Sequence, residues 1–430
     1  MATIMSKQGN VDNVVTYEHY CDTVADLDNI PYNESTLGSV AVVLVGESGG
    51  LEIYIANSNH EWIPLVSGGG GGNVTVEELN ITENGTYTAP SGKAYSPVNV
   101  EVSDDLATSI VDRTISTYTN NTISFIGWYA FADCKELRTV NLAQCTEISG
   151  LAFYSCVGLT NVYAPNCTKI GQAAFRYDSN LTTIIAPECI SIEENAFHNC
   201  QLLSDINFSK CTQIGSSAFA WCNNLSTCNF PECSMIGRAT FSSCSNIIYA
   251  NLPLIDRIPE AAFLDCINLE QINAPLCTSV SWNGFKGCSK LTNINFSLCS
   301  ILESGAFENC TNLAIVSLPI CSSIEQWAFH NCSTLSILSL PKAAYIRSAA
   351  FSGCQQLLSV YLLGSSIPLL AQSNAFSSTP IAGYTSYTSG VLGSIYVRAS
   401  MLSLFQSATN WVYFSNRMVG LTDEQIAALS

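Results

Sequence analysis

The chain has 430 residues, with 34 acidic against 16 basic side chains and a net charge of −18, yet only 12% of its residues are charged. That balance argues against a nucleic-acid partner, which needs a basic patch, and no run of 18 apolar residues predicts membrane insertion. The surface has to be built mainly from Ser, Thr, Asn, Gln and Tyr, side chains suited to hydrogen bonding with neutral ligands such as glycans.

Residues 1–66 open without the apolar core of a signal peptide, so synthesis in the cytoplasm is expected. Ser39 to Val45 and Leu51 to Ile55 are strand-like runs joined by Gly46 to Gly50, a hairpin signal, and predict a small β domain. Ser67 and the five glycines Gly68 to Gly72 form a flexible linker over 67–73. Residues 74–103 predict a compact β module with a turn at Asn84-Gly85, and 104–125 a connector or N-terminal cap. The wording Asn80-Ile-Thr-Glu-Asn-Gly-Thr-Tyr-Thr-Ala-Pro resembles a short module of phage structural proteins. Tyr20-Cys-Asp-Thr-Val-Ala-Asp-Leu, Gly38-Ser-Val-Ala-Val-Val and Leu51-Glu-Ile-Tyr-Ile-Ala are similar to the attachment ends of phage head-fibre and tail-fibre proteins. The resemblance implies that residues 1–66 dock on a phage capsid or tail protein, that the chain sits at a virion surface, and that it forms a symmetric homo-oligomer, a trimer.

From residue 126 to 376 the chain repeats. A phenylalanine returns at one fixed interval, at Phe131, Phe153, Phe175 and onward without an insertion to Phe351, and Cys follows it by three in every unit but one, where Asp178 stands instead. Leu or Ile comes three residues later, as at Leu137 and Leu159. An alternating apolar pair such as Val140 and Leu142 then predicts a short half-buried strand, stopped by a proline such as Pro165 or Pro187 that has no amide hydrogen. A second Cys and a late Ile such as Ile148 complete the unit. Such a period means stacked units sharing one core. The pattern A-F-x-x-C-x-x-L-x-x-V-x-L-P closely resembles the BspA-like leucine-rich repeat. The resemblance implies a repeat solenoid with a parallel β-sheet on one face and helical or 3₁₀ turns on the other, preceded here by the small β modules. Residues 377–430, with Gly393-Ser-Ile-Tyr-Val-Arg and Ala408-Thr-Asn-Trp-Val-Tyr-Phe, resemble the terminal unit that closes such arrays. The last ten residues predict a short helix with Thr422 or Asp423 as N-cap.

Eighteen of the 20 cysteines occupy the two repeat positions, Cys228 takes an apolar strand position, and Cys21 lies outside the array. A ladder position wants a small apolar side chain of constant size, so free buried thiols are expected rather than disulfides or zinc. Neither a catalytic constellation nor a cofactor motif stands out, and no enzyme activity, metal or cofactor is predicted. His198 and His330 occupy equivalent turn positions six units apart.

The candidate contact residues are the outward strand positions: Tyr163, Asn207, Asn229, Tyr249, Asn251, Asn273, Asn295 and Tyr361. Amides and tyrosines are common in sugar-binding surfaces. Stacked asparagines also stabilise sheets by bonding to one another, so the row is open to a purely structural reading. Trp221, Tyr177 and Trp327 offer a second set of aromatics on the turns. Together these features predict a non-enzymatic virion surface protein that projects its solenoid toward host-surface carbohydrate or protein. The alternative is a bacterial cell-surface adhesin, the common role of BspA-like arrays.

Overall fold

In a computed structural model of the chain, residues 115–383 and 391–429 are described with their side chains; ahead of them the description is confined to the backbone of seven strands. Five of these, Met5–Val11, Val14–Cys21, Val40–Val45, Gly50–Ala56 and Trp62–Pro64, form one sheet in sequence order. The expected hairpin is there, with Val40 opposite Ile55 and Val45 opposite Gly50. Tyr87–Thr88 pairs with Ala94–Tyr95. The glycine linker and the Asn84-Gly85 turn lie outside the described residues.

From Thr117 the chain winds as a solenoid, each coil named here by its phenylalanine. Every coil lays one short strand on the front, such as Asn161–Tyr163, which pairs in parallel with the equivalent strands of the coils before and after, and the row as a whole falls into paired segments. The middle residue of each strand points inward and its two neighbours face out, the period-two pattern read from the sequence. Fourteen front strands follow one another from Thr117–Thr119 to Met418–Leu421. A second column of two-residue strands, the late Ile and the residue before it, forms a parallel side sheet that the sequence reading did not anticipate. It divides into two six-stranded ladders between Met235–Ile236 and Arg257–Ile258. Elsewhere the residue after each side strand donates its N–H to the previous coil, as Gly237 does to Ile214 at 2.8 Å. Pro259 has no N–H to give, and Ile255 stands where the coils on either side carry the smaller Cys233 and Cys277.

The back is where helical or 3₁₀ turns were expected. They are there: a 3₁₀ helix occurs at Ser373–Phe376, and the other coils carry successive turns of that kind without a continuous helix, such as Tyr154 N–H to Leu151 O and Cys156 N–H to Phe153 O, both at 3.1 Å. The reason is spatial. An α-helix is about 10 Å across, whereas parallel strands lie about 4.8 Å apart, so a stack at strand spacing has no room for a helix in every coil. Instead each coil turns through two left-handed residues, two before and two after the phenylalanine, as at Leu151 (φ 55°) and Ser155 (φ 58°). Alternate amides then reach the next coil: Leu151 to Gln172, Phe153 to Ala174 and Ser155 to Arg176, at 2.7 to 2.9 Å. The back is thus a third inter-coil hydrogen-bond ladder.

The core is a continuous column. Phenylalanine rings stack nearly parallel from Phe131 onward, with centroids 4.9 Å apart at Phe131–Phe153 and 5.7 Å at Phe329–Phe351. Tyr118 covers the first ring. At the far end Phe376, a twelfth ring set slightly later after Phe351 than the regular interval, meets Trp411 and Phe414 of the terminal unit. Trp411 is 1% exposed and donates Nε1–H to Pro368 O at 2.8 Å. Nineteen cysteines are buried and free, as expected from the repeat. Those three after Phe donate Sγ–H to the Phe carbonyl of the previous coil, for example Cys156 to Phe131 at 2.8 Å and Cys244 to Phe219 at 2.9 Å.

Candidate functional site

The front sheet is continuous only in segments, and the segments decide which candidate residues act together. One break separates Asp205–Asn207 from Thr227–Asn229. There Phe208 and Phe230 follow the two strands, and their rings lie 6.5 Å apart, wider than the phenylalanine column. The next segment joins three strands, Thr227–Asn229, Tyr249–Asn251 and Gln271–Asn273, in exact register. Beyond it the sheet breaks again before Asn293–Asn295.

On this three-strand segment the amides form a row. Asn251 Nδ2 donates to Asn229 Oδ1 and Asn273 Nδ2 donates to Asn251 Oδ1, each at 2.8 Å. The stacking foreseen from sequence is therefore real at three positions, while Asn207 and Asn295 lie across the breaks on either side. Tyr249 faces out beside Asn251 and is 42% exposed.

Two further features flank the row. On the side where the chain comes into the strands, a groove of about 520 Å³ is lined by Asn224, Ser226, Asn246, Ile248, Asn268 and Glu270, with Ser204 and Lys290 at its ends. On the other side, just past the prolines, Leu254, Leu276, Leu298 and Ile320 occupy the same position in four consecutive coils, each 42 to 46% exposed. Equivalent positions in earlier coils carry Gln144, Asn166, Glu188, Lys210 and Glu232, so the apolar rail begins beside the amide row. A lone exposed Leu needs no explanation, but four in a line form a surface.

The other sequence candidates sit elsewhere. Tyr163 is exposed on the Phe153 coil, three coils before Asn229. Tyr361 is half-buried and stacks on Tyr396 of the terminal unit at 4.6 Å, which gives it a packing role. Tyr177, Trp221 and Trp327 occupy left-handed turn positions on the back. Tyr177 there takes Arg176 over its ring at 4.8 Å and meets His198 edge-on at 5.9 Å. His198 and His330 remain on separate coils. Among the described residues no group of His, Cys, Asp and Glu has a metal-holding arrangement, and no helix is long and apolar enough to cross a membrane.

Many of the Ser, Thr and Asn side chains from which the surface was expected to be built are used inside the stack. Thr160 and Thr182 each donate Oγ1–H to a carbonyl of the previous coil, at 2.9 and 3.0 Å. Asn180 and Asn268 donate Nδ2–H to the previous coil at 2.8 Å. The groove and the leucine rail, by contrast, were not singled out. The rail's signal was present, four aliphatic residues each following a Pro or Ser by one, but it was hidden beside the stronger core periodicity.

Comparison with known proteins places the repeats. The family model for the BspA type leucine rich repeat region matches in six copies, over residues 113–225, 168–292 and 256–382. A leucine-rich repeat protein from Bacteroides ovatus is similar at 16% identity, with 89% of this chain and 98% of that one covered and a TM-score of 0.42. A leucine rich cell surface protein from Faecalibacterium prausnitzii is 19% identical, over 81% of this chain and 100% of that one, with a TM-score of 0.39. The pneumococcal vaccine antigen PcpA is 13% identical, covers 90% of this chain and 98% of its own, and has a TM-score of 0.38. No curated protein matches.

Proposed function

The chain belongs to the BspA-type leucine-rich repeat family, and from that premise we propose that it is a non-enzymatic adhesive protein, displayed on a bacterial cell surface, whose solenoid front binds surface glycan or protein. Arrays of this type commonly serve as surface adhesins. The observation that carries the reading is the exposed front of the Phe219, Phe241 and Phe263 coils, where a hydrogen-bonded amide row, an outward tyrosine and an apolar rail lie side by side. Elsewhere in the array side chains such as Thr160, Asn180 and Thr182 bond within the stack.

The test is adsorption of the purified chain to a panel of bacterial and epithelial cells. Replacing Asn229, Asn251 and Asn273 together by Ala should lower adsorption about tenfold, a loss of about 1.4 kcal/mol, with an unchanged far-UV spectrum. Unchanged adsorption would make the row purely structural and remove the basis of the proposal.

A second reading is kept alive by the segment 1–66. Its likeness to phage fibre attachment segments favours a trimeric virion fibre anchored on capsid or tail. Gold labelling of particles with an antibody against residues 1–66 separates the two: label on virions supports the fibre, and label confined to cell envelopes supports the adhesin.

A further inference from the structure

We propose that the front of the Phe219, Phe241 and Phe263 coils takes a linear, uncharged carbohydrate polymer laid along the solenoid axis, one sugar unit per coil. This rests on the adhesive reading above and names its ligand class.

The amide row supplies the polar half of the site. A primary amide has two N–H donors and two oxygen lone pairs. Asn251 spends one donor on Asn229 and one lone pair on Asn273, leaving one of each. The row is already locked by its own bonds, so little side-chain freedom is lost on binding. A hydroxyl group both donates and accepts and can satisfy such a pair. A carboxylate can answer only the donor.

Charge points the same way. None of the outward strand positions on these three coils is charged, the groove edge carries one Glu and one Lys of opposite sign, and Glu232, at the rail position of the first coil, is the charge on the other side. The apolar half is Ile248 and Tyr249, 50 and 42% exposed at the centre, with Leu254 and Leu276 alongside. A sugar ring presents carbon-bound hydrogens on its faces and hydroxyls on its rim, which matches a surface where aliphatic side chains and one tyrosine lie beside an amide row.

The repeat distance selects a sugar polymer over a peptide. Parallel strands present one amide about every 4.8 Å, whereas an extended peptide shows same-face side chains only about every 6.7 Å. A peptide lying along the axis therefore drifts by about 2 Å per coil and has lost register by the third. A polymer with one pyranose ring per repeat keeps a hydroxyl opposite each amide.

The experiment is calorimetric titration of the full chain with cello- and manno-oligosaccharides from disaccharide to hexasaccharide. Affinity should climb with each added unit up to about the three coils of the segment and then level off. Asn251→Ala should weaken the longest oligosaccharide about tenfold and Leu276→Ser somewhat less. Asn161→Ala, on a distant coil, should change nothing. Absence of binding at millimolar concentration, affinity independent of length, or an equal loss in Asn161→Ala would overturn the proposal. So would tighter binding of polyglutamate. If cells still adsorb the chain through the amide row while the oligosaccharides fail, the ligand class falls and the adhesive reading stands. If adsorption is insensitive to the row, the adhesive reading itself falls.

Discussion

At the scale of single residues, the chain is governed by what sits next to the phenylalanine column. The thiols there were legible as small core residues, but their second role was not. Those at the position three after Phe give Sγ–H to a carbonyl of the neighbouring coil, which only the stacked geometry reveals, and the second set gives it to a carbonyl two residues on, as Cys145 does to Glu147. Burial pushes them out of reach of ionisation: Cys145 and Cys277 rise to about 11 and Cys244 to about 12. Because the thiolate is the nucleophile, native protein at neutral pH should react with iodoacetamide at almost none of its ladder cysteines until denaturant is added. Rapid labelling of several of them would contradict this burial. Asp178 is the exception in the same column. It is 0% exposed, its two carboxyl oxygens have no hydrogen bond, and it lies between coils carrying Cys156 and Cys200. Burial raises its pKa well above the ordinary 3.8; the nearby Cys156 backbone favours the carboxylate, but makes no well-formed bond to it and does not offset the burial. The sign follows from linkage: a carboxyl whose pKa is higher folded than unfolded stabilises the fold most below about pH 3.8, and that stability is lost as pH rises past it. Asp178→Cys should therefore raise stability at pH 7 by about 1–3 kcal/mol, measured by urea titration. Asp178→Asn should flatten the fall in stability above pH 4. Equal midpoints for wild type and Asp178→Cys at pH 7 would show that the carboxyl is accommodated at no cost.

At the scale of the element, the front strand was readable because period-two alternation and proline are local signals. The back was readable as turns but not as a ladder, because what keeps those turns from joining into a helix is the distance to the next coil, and that distance belongs to no single repeat. Left-handed backbone costs an L-residue about 1–2 kcal/mol, while Asn tolerates it. The position two after Phe is filled accordingly in five of the eleven coils, by Asn199, Asn309 and Asn331 or by Gly287 and Gly353. Trp221 holds φ 64° at that position with its side chain 51% exposed. Trp221→Asn should gain about 1 kcal/mol in the urea midpoint, since little packing is given up. A loss instead would mean that the indole is supported by contacts that outweigh the backbone strain. The same comparison explains why the site was only half visible: the asparagines could be found on outward positions by counting. The breaks that group Asn229, Asn251 and Asn273 and leave out Asn207 and Asn295 belong to the pairing between coils, the first of them where Phe208 and Phe230 follow the strands.

At the scale of the whole molecule, each coil touches only its neighbours, so stability is approximately a sum of coil and interface contributions. Removing one complete unit outside the candidate site, residues 330–351, joins Phe329 to Ser352 and leaves every ladder in register, because Ser352 follows Phe351 in the intact chain. The shortened protein should stay folded and monodisperse, melt slightly lower, and keep its adsorption, since the strands from Thr227–Asn229 to Gln271–Asn273 are untouched. Ending the chain at residue 383 is a different operation. It strips Trp411 and Phe414 from Phe376 and uncovers the end of the aromatic column, together with the edge left by the strands Ser394–Arg398 and Met418–Leu421. An unpaired parallel edge over an open apolar core is a template for association. This truncation should elute as large aggregates by light scattering while the unit deletion does not. If both aggregate, the coils are not independent; if neither does, the terminal unit is not the cap that its packing on Phe376 makes it.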